Sequence, residues 1–432
     1  MLANALQDYC RMELTKMQKI LGISCGLDVH KDIIEGCILE VNGTGEPDAK
    51  YETFTTMRGD IMRLREWLVE HGCPNVAMES TGVYWKPIYE ILEDAEGINL
   101  CLVNAQHMHN VPGRKRDKDD AEWISSLYMC GLLNKSFVPE KGIRSLQEHT
   151  RYYVKLTQEN TRLVNRIEKL LQTHGFKLSS VLSSIVGVSG RRILKLLCEQ
   201  GTVSVADVGN ALARGVKKSA EEIAYAVNGK LTQSSQNLLR IMLDGLNACD
   251  EQLAAVRHSI QCVAEPYARG VTILSTIPGL DELSASYLIG EIGVDMSRFN
   301  KGASSLCKWA GLSPRDDESA GKIKSNKILK GNPYVKSILC QCAWAATKTR
   351  NTRLSNWYWR NVKRLGEKKA IIAVARKLLV YAFHMLSTGE LYDKRLDVAD
   401  TKKLKIIKLA SAKQQIKMLE KTLSNESLVT NT

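Results

Sequence analysis

The chain has 432 residues, of which 44% are hydrophobic and 25% charged, and its 60 Lys and Arg residues exceed its 47 Asp and Glu residues to give a net charge of +13. This length allows two or three domains, and the composition is typical of a soluble globular protein. The positive excess favours a polyanionic partner, because each Lys or Arg beside a phosphate can release a condensed counterion.

The distribution of apolar residues and cysteines argues against three other classes of protein. No segment approaches the roughly 20 apolar residues that span a bilayer. The first 22 residues contain Arg11, Glu13, Lys16 and Lys19, which do not fit the apolar core of a signal peptide. The 12 cysteines include no C-x-x-C pair, so a zinc site or a disulfide framework is not expected. Reduced cysteines in a cytoplasmic protein fit best.

The N-terminal third has the pattern of three strands followed by alternating helices and strands. The predicted segments are strands at 24–29, 33–41 and 50–56, a helix at 60–71, a strand at 75–79, a helix at 82–95, a strand at 98–103 and a helix at 117–133. This β-β-β-α-β-α-β-α order is that of the ribonuclease-H-like fold. In that fold the centre of the first strand, the end of the fourth strand and a late helix meet at one point.

Four acidic residues fall on those three elements. Asp28 interrupts the first apolar strand, and Glu79 ends the fourth. Asp117 and Asp120 are three apart at the start of the late helix and share one helix face, whereas Asp119 lies about 200° around the helix from Asp117. Each acid alone would be an ordinary surface residue. Together they predict a Mg²⁺ site for phosphodiester chemistry, in which hard cations hold the attacking and leaving oxygens.

Three cations directly precede the acidic pair of the late helix. Arg114, Lys115 and Arg116 would either hold phosphates beside the metals or offset the local negative charge. The first of these roles predicts a nucleic-acid contact next to the carboxylates.

The middle of the chain predicts two long helices. In the polar helical segment 148–174, Leu156, Leu163 and Leu170 are seven apart. A second segment has apolar residues in alternating steps of three and four, namely Leu239, Met242, Leu246, Cys249, Leu253, Val256, Ile260 and Val263. This is the heptad period of a coiled coil, although an ordinary amphipathic bundle is equally open. The helices could pair with each other or with another subunit, and residues 178–236 between them read as a helical insertion.

A third region begins near Val271. Ile273–Gly293 reads as two helices joined by a turn at Pro278-Gly279-Leu280. This outline fits a helix-hairpin-helix, which offers backbone N–H groups to a DNA phosphate, and it fits an ordinary helical hairpin as well.

A flexible basic loop at 311–332 follows this helical pair. It contains Ser319 and four lysines that could contact nucleic acid, Lys322, Lys324, Lys327 and Lys330. Helical patterns then cover 333–349, 354–365 and 367–386, and the last carries Arg376 and Lys377 beside an apolar face. The Lys-rich tail after Gly389 is either a lone amphipathic helix or disordered. Read alone, Ser319 is an ordinary loop serine whose hydroxyl would need activation to act as a nucleophile.

Several of these motifs together resemble the DEDD transposases of bacterial insertion sequences, which are relatives of the pilin-inverting DNA recombinase. The motifs occur in the family's order between about residues 23 and 392, and the insertion resembles that of the longer branch of the family. They are Gly26-Leu27-Asp28-Val29-His30-Lys31, Met78-Glu79-Ser80-Thr81-Gly82, Arg114-Lys115-Arg116-Asp117-Lys118-Asp119-Asp120-Ala121, Pro278-Gly279-Leu280, Ala310-Gly311-Leu312-Ser313-Pro314, Ser319-Ala320-Gly321-Lys322, Lys330-Gly331-Asn332 and Ala373-Val374-Ala375-Arg376-Lys377.

The resemblance implies an α/β plus α architecture in three domains. These are a RuvC-like, ribonuclease-H-like domain at 23–145, a coiled-coil region with a helical insertion at 146–268, and a mainly helical transposase domain at 269–392. An N-terminal extension at 1–22 and a basic tail at 393–432 flank them. In two places the chain departs from the family pattern: Asp281 follows Leu280 where the family's hairpin commonly reads Pro-Gly-Ile-Gly, and Arg116 stands where a Thr is usual.

The resemblance also implies an activity. Asp28, Glu79, Asp117 and Asp120 would bind Mg²⁺, and Ser319 would attack DNA to form a 5′-phosphoserine link. The implied partners are donor and target DNA, a structured non-coding bridge RNA, and further copies of the chain in a dimer or tetramer. No membrane partner is expected, and the implied location is the bacterial cytoplasm beside the nucleoid.

Two other functions stay open at this point. A RuvC-like nuclease would use metal-activated water and leave free 5′ phosphates. A non-catalytic DNA- or RNA-binding assembly protein would bind with a steep salt dependence and would not cleave. The intact acidic quartet argues against the second of these.

Overall fold

The computed structural model describes the backbone of residues 19–42, 47–80, 82–104, 117–314, 317–319, 322–325, 327–328 and 330–429. Within these ranges, side chains are described except at 117–119, 317–319, 322–325, 399, 404, 408 and 420–429. The chain divides into two compact units, Met1–Val138 and Pro139–Thr432. The finer division into three domains with flanking segments stays a prediction.

The first unit is built on a five-stranded mixed sheet. Its elements are β1 (Ile23–Val29), β2 (Ile33–Val41), β3 (Pro47–Thr55), α1 (Arg58–Glu70), β4 (Asn75–Glu79), α2 (Trp85–Glu93), β5 (Asn99–Val103) and α3 (Asp117–Met129). The strand order is β3-β2-β1-β4-β5, with β1, β2 and β3 antiparallel and β1, β4 and β5 parallel. This element order and sheet confirm the predicted ribonuclease-H-like fold.

The central strands are apolar because both faces of the sheet are covered. Leu27 and Leu64 belong to a buried cluster between the sheet and helices α1 and α2. On the opposite face, Ala77 packs with Ile124 of α3. A strand between two helical layers buries both of its faces, which explains the nearly continuous apolar runs of β1 and β4.

Where the structure describes it, the second unit is helical apart from the β-hairpin of β6 and β7 and an isolated bridge. Its elements are α4 (Lys141–Thr173), α5 (Leu178–Val181), α6 (Val188–Gln200), α7 (Val205–Ala211), α8 (Ala220–Ala226), α9 (Gln233–Ala264), α10 (Ala268–Ser275), α11 (Glu282–Ile292), α12 (Ala303–Trp309), β6 (Asp317–Ser319), β7 (Lys322–Ser325), α13 (Pro333–Lys348), α14 (Arg353–Leu365), α15 (Glu367–Thr388) and α16 (Arg395–Val429). A 3₁₀ turn at Glu265–Tyr267 joins α9 to α10. The segment that was predicted as a helical insertion contains the helices α5 to α8.

The two long helices α4 and α9 pair with each other in an antiparallel arrangement. Near their middles, the side-chain amide of Asn160 donates to Asp250 at 2.7 Å. The end of α4 meets the start of α9, where Nε2 of His174 lies 2.9 Å from Oγ of Ser235. Of the predicted heptad positions, Leu239, Leu246, Cys249 and Ile260 are buried. Pairing within the chain therefore accounts for much of the heptad pattern, and pairing with another subunit stays a prediction.

Helix α15 departs from the expectation that no segment could span a membrane. An 18-residue window of this helix has a mean hydropathy of 1.5, which satisfies the length and composition of a membrane span. Its buried side chains, Ala370, Val374, Leu378 and Ala382, lie in the main apolar core of the second unit with residues of α11 and α13. A helix at the centre of a core carries the same apolar run as a spanning helix, so this property follows from packing.

The prediction of a flexible loop at 311–332 is wrong in one respect, because the segment contains regular structure. Strands β6 and β7 form an antiparallel hairpin in which Ser319 pairs with Lys322, and an isolated bridge joins Pro314 to Ile328. Backbone pairing accounts for this regular structure. The polar residues of the segment do not predict a strand. Within the tail after Gly389, Arg395–Val429 forms the helix α16, so of the two predicted forms a helix is present. Its start is not a lone helix, because Asp397 accepts a hydrogen bond from the backbone N–H of Arg353 at 2.6 Å and Asp400 accepts one from Asn356 at 3.1 Å.

Candidate active site

Asp28 and Glu79 are neighbours at the same end of two parallel strands. Leu27 of β1 pairs with Met78 of β4, so the next residue of each strand is one of the two acids. Both are buried, with 5% of Asp28 and 8% of Glu79 exposed. Adjacent buried carboxylates repel each other when ionised, and a cation or hydrogen-bond donors must offset that repulsion.

His30 adds a nitrogen to this end of the sheet. Its Nε2 lies 3.0 Å from Oδ2 of Asp28, and its side chain is 55% exposed whereas that of Asp28 is 8% exposed. The two residues are two apart, and alternate residues of an extended chain point to the same side. His30 was not among the predicted site residues, although its spacing of two from Asp28 is a signal that could have identified it.

Helix α3 lies across β1 on the face that carries the acids. The Oγ atoms of Ser24 and Ser125 are 2.8 Å apart. Two residues further along β1, a Cβ added to Gly26 would lie 2.0 Å from the carbonyl oxygen of Ala121. The strand and the helix therefore run in opposite directions, and the first turn of α3, which begins at Asp117, lies beyond Ala121 in the direction of Asp28.

The structure describes the four predicted metal ligands to different extents. Asp28 and Glu79 are adjacent, Asp120 is partly exposed in the first turn of α3, and the side chain of Asp117 lies outside the described residues. Among the described side chains, no group of three or more His, Cys, Asp or Glu residues is arranged to hold a metal ion. The adjacent buried pair offers oxygen donors, which are the ligands that Mg²⁺ prefers. Convergence of all four acids stays a prediction.

The basic residues predicted to contact nucleic acid are described to different extents. Arg114, Lys115 and Arg116 lie outside the described residues. The backbones of Lys322 and Lys324 form part of β7, while their side chains are not described. Lys327 and Lys330 are exposed at the end of the hairpin segment.

The hairpin that carries Ser319 has a closed base. Ser319 is the last residue of β6. At the base, the backbone N–H of Asn332 donates to the carbonyl of Trp309 at 3.3 Å. Gly331 packs so closely on the other end of the segment that a Cβ there would lie 2.2 Å from the nitrogen of Gly311. The two ends of the segment are therefore held together, and the position of Asn332 fixes the base of the hairpin.

The predicted helix-hairpin-helix is a helical hairpin with a capped second helix. Asp281 is the N-cap of α11, and its carboxylate accepts a hydrogen bond from the backbone N–H of Ser284 at 2.8 Å. Gly279 has a φ of +94°, and a Cβ there would lie 2.5 Å from the carbonyl oxygen of Cys342 in α13. The glycine is thus required for packing on α13, and a carboxylate already occupies the helix end that a DNA phosphate would use.

Arg376 and Lys377 stand among further cations of the second unit. Nζ of Lys377 lies 5.1 Å from the centroid of the Trp357 ring. Burial lowers the pKa of Lys377, and the charges of Arg353, Arg376 and Arg360 lower it further. Asp400 partly offsets the cluster through a 3.5 Å contact to Arg360. Arg353 and Arg360 of α14 were not among the predicted contacts, although Arg353, Trp357 and Arg360 have the spacing of one helix face.

Comparison with known families matches both units of the chain. A family model described as a transposase of the DEDD IS110 type matches residues 25–175, which include β1 and β4 with their acids. A second, described as the transposase IS116/IS110/IS902 family, matches residues 271–359, which include the Ser319 hairpin. The chain belongs to the IS110-type DEDD transposases. As a transposase it is an enzyme that acts on DNA.

Two relatives from Sinorhizobium fredii (strain NBRC 101917 / NGR234), y4pF/y4sB and y4rJ, carry names that assign them as transposases. The first is 26% identical over 152 residues, which cover 34% of this chain and 37% of the relative. The second is 24% identical over 344 residues, which cover 73% of this chain and 78% of the relative. The structure of Thermus thermophilus RuvC aligns at 16% identity with a TM-score of 0.19, covering 27% of this chain and 85% of RuvC.

Proposed function

We propose that this IS110-type transposase cuts and rejoins DNA strands at a Mg²⁺ site formed by Asp28, Glu79, Asp117 and Asp120, with Ser319 as the nucleophile. The observation that carries the proposal is the buried, adjacent pair Asp28 and Glu79 on the face of the sheet that α3 covers. Two carboxylates withdrawn from water at neighbouring strand ends are costly unless a cation balances them. A structural role alone would be served at lower cost by apolar residues.

The proposed reaction conserves the energy of the phosphodiester bond. Bound Mg²⁺ would supply positive charge beside the scissile phosphate and the leaving oxygen. Ser319 loses its proton to a base or to solvent, and its Oγ forms a bond to phosphorus as the bond from phosphorus to the 3′ oxygen breaks. The 3′ oxygen takes up a proton. Attack of a 3′ hydroxyl on the phosphoserine reverses these steps and joins a new strand.

The basic residues are proposed to hold the nucleic acid. Arg114, Lys115 and Arg116 would contact phosphates beside the carboxylates, and Lys322, Lys324, Lys327 and Lys330 would do so around the hairpin. Arg376 and Lys377 belong to a cluster of like charges, which a polyanion would stabilise. A structured bridge RNA, assembly as a dimer or tetramer with composite sites, and a place in the bacterial cytoplasm beside the nucleoid also belong to this proposal.

Covalent trapping on DNA tests the nucleophile. Purified protein is incubated with Mg²⁺, the element's RNA and radiolabelled donor and target duplexes, and the denatured products are separated by electrophoresis. We expect a protein–DNA adduct with wild-type protein and with Ser325→Ala, a serine on the paired strand of the same hairpin, and none with Ser319→Ala.

Other outcomes of this experiment identify the competing functions. An adduct with Ser319→Ala contradicts the nucleophile assignment. Cleavage that leaves free 5′ phosphates without an adduct indicates a nuclease that uses water. Binding that weakens with salt, without Mg²⁺-dependent cleavage in any condition, indicates a non-catalytic assembly protein.

A further inference from the structure

Glu291 of α11 is a fully buried carboxylate with an unusually complete set of partners. Its side chain is 0% exposed. Arg151 of α4 donates to both of its oxygens, from Nε at 2.7 Å and from Nη2 at 2.9 Å. Gln147 of the same helix donates at 3.3 Å. A fourth donor, the side-chain amide of Asn332, lies at 2.7 Å. This cluster, Glu291, Arg151, Gln147 and Asn332, joins three separate parts of the second unit.

Asn332 connects the cluster to the start of α13. Its Nδ2 donates to Glu291, while its Oδ1 accepts hydrogen bonds from the backbone N–H groups of Tyr334 at 2.9 Å and Val335 at 3.1 Å. The guanidinium of Arg151 stacks on the ring of Tyr334 at 4.1 Å. The first turn of α13 is therefore tied to α4 by a hydrogen-bonded carboxylate and by a stacked cation.

This arrangement stabilises the charged form of Arg151 despite its burial. Burial by itself lowers the pKa of a guanidinium, but the hydrogen bonds and charge of Glu291 outweigh burial, and the net pKa of Arg151 is raised. Burial, reinforced by the charge of Glu291, also raises the pKa of the nearby Tyr287. A buried ion pair is weak evidence for stability, since apolar residues of similar volume often stabilise a fold as well. The hydrogen bonds of this ion pair are directional, however, so they fix the relative position of the segments that the cluster joins.

The cluster fixes the position of the base of the Ser319 hairpin. Asn332 ends the segment 311–332, and Gly331 beside it packs directly on the backbone of Gly311 at the other end. A shift of Asn332 relative to α4 would therefore move both ends of the hairpin. Because Ser319 of β6 is paired with Lys322 of β7, a movement of the hairpin base would also displace Ser319.

We infer that Glu291 is a positioning residue for strand transfer, which holds the base of the Ser319 hairpin on helix α4 through Asn332 and Arg151. The inference rests on the proposed function, because it assigns the hairpin as the carrier of the nucleophile. A nucleophile must be held within a fraction of an ångström of the attack geometry, and misplacement by about 1 Å can cost roughly 100-fold in rate. In this assignment Glu291 acts through Asn332 and Arg151 and has no role as a catalytic residue.

Asn332→Ser is the variant that isolates this role. Serine is also a favoured N-cap, so the start of α13 keeps a cap acceptor while the donor to Glu291 is lost. Glu291→Gln is less suitable, since it leaves Arg151 without its counter-charge and is expected to destabilise the unit. Asn160→Ser is the matched control, because Asn160 makes an amide-to-carboxylate bond of the same 2.7 Å length to Asp250 on α9.

The experiment compares hydrogen exchange and adduct formation in the full-length variants. We expect Asn332→Ser to increase amide exchange within 311–332 and to slow formation of the protein–DNA adduct roughly 10–100-fold, with DNA affinity and melting temperature close to those of Asn160→Ser. Unchanged exchange in 311–332 would overturn the inference, and so would faster exchange with an unchanged adduct rate. If wild-type protein forms no adduct, the nucleophile proposal fails, and exchange alone then decides whether the cluster holds the hairpin.

Discussion

Gly26 and Ala121 approach each other so closely that a Cβ on Gly26 would lie 2.0 Å from the carbonyl oxygen of Ala121 and 2.5 Å from the nitrogen of Ser125. Both of these neighbours are backbone atoms of a helix, which cannot move aside as a flexible side chain can. The absence of a side chain at Gly26 therefore sets how near α3 can lie to β1. The same approach sets the distance between the helix that carries Asp120 and the strand that carries Asp28.

The first prediction concerns this close approach. Gly26→Ala should lower the free energy of unfolding by about 3 kcal/mol, because overpacking against fixed backbone displaces α3. Denaturant unfolding followed by circular dichroism measures the change. Gly59→Ala is the control, since nothing lies within 4 Å of the Cβ that it adds in α1, and its stability should stay unchanged or rise by up to about 1 kcal/mol. Equal stability of the two variants would contradict the assigned packing.

The second prediction distinguishes the proposed metal ligand Asp120 from Asp119, which lies in the same helix turn. Asp120→Asn should reduce Mg²⁺-dependent strand cleavage by about 100-fold or more, because changing groups that merely orient metal ligands already costs about 10–100-fold. Asp119→Asn should leave cleavage near the wild-type rate, since helix geometry predicts residue 119 about 200° around the helix from Asp117. Cleavage is measured on labelled duplexes over a Mg²⁺ titration. Full activity of Asp120→Asn would contradict the assignment of Asp120 as a metal ligand.

The third prediction concerns the pH dependence of the α11 cap. Burial raises the pKa of Asp281, but hydrogen bonds from Ser284 outweigh burial, and the net pKa lies below its ordinary value of 3.8. A folded-state pKa below the unfolded one stabilises the fold above the unfolded pKa, and this contribution is lost as the pH falls below 3.8 through the lowered pKa.

Asp281→Ala should therefore cost about 1 kcal/mol at pH 7, the usual loss for an N-cap, and less at pH 3. Urea unfolding at the two pH values measures the difference. Asp281→Asn, which keeps a cap acceptor without the titrating charge, should lose less stability at pH 7. A cost for Asp281→Ala that is equal at both pH values would show that the ionised cap is not the cause.

The fourth prediction tests the basic cluster on α14 and α15. Lys377→Gln should weaken DNA binding to a similar extent for all sequences and reduce the salt slope of binding by about 1, as expected for a lost phosphate contact. Fluorescence anisotropy at several salt concentrations measures both quantities. Lys195→Gln, which removes an exposed lysine that pairs with Glu199 in the helical insertion, should change neither. A salt slope unaffected by Lys377→Gln would exclude a phosphate contact there.

Local patterns predicted much of the fold and part of the site. The order of strands and helices in the first unit follows from apolar periodicity, and the helices of the second unit follow in the same way. The adjacency of Asp28 and Glu79 was expected from the ribonuclease-H-like element order, in which the first strand and the end of the fourth strand meet, and the register of β1 and β4 agrees with it. The rest of the predicted metal site stays a prediction.

Long-range contacts decided the features that spacing did not predict. Glu291 reads as an ordinary helical acid until Arg151, 140 positions earlier, is seen to meet it. Asp281 reads as a departure from a family motif, whereas the structure assigns it as a helix cap. The strands β6 and β7 depend on backbone pairing with each other, for which their polar side chains give no signal.

The sequence by itself determined the element order, the placement of acids on particular strands, and the family to which its motifs point, because these properties depend on residues close together in the chain. Only the tertiary structure decided which helix covers the acidic face, how near it can lie, and which buried charges hold the serine hairpin in place. Those properties depend on contacts between segments far apart in sequence, where the free energy is set by packing and by removal of charges from water.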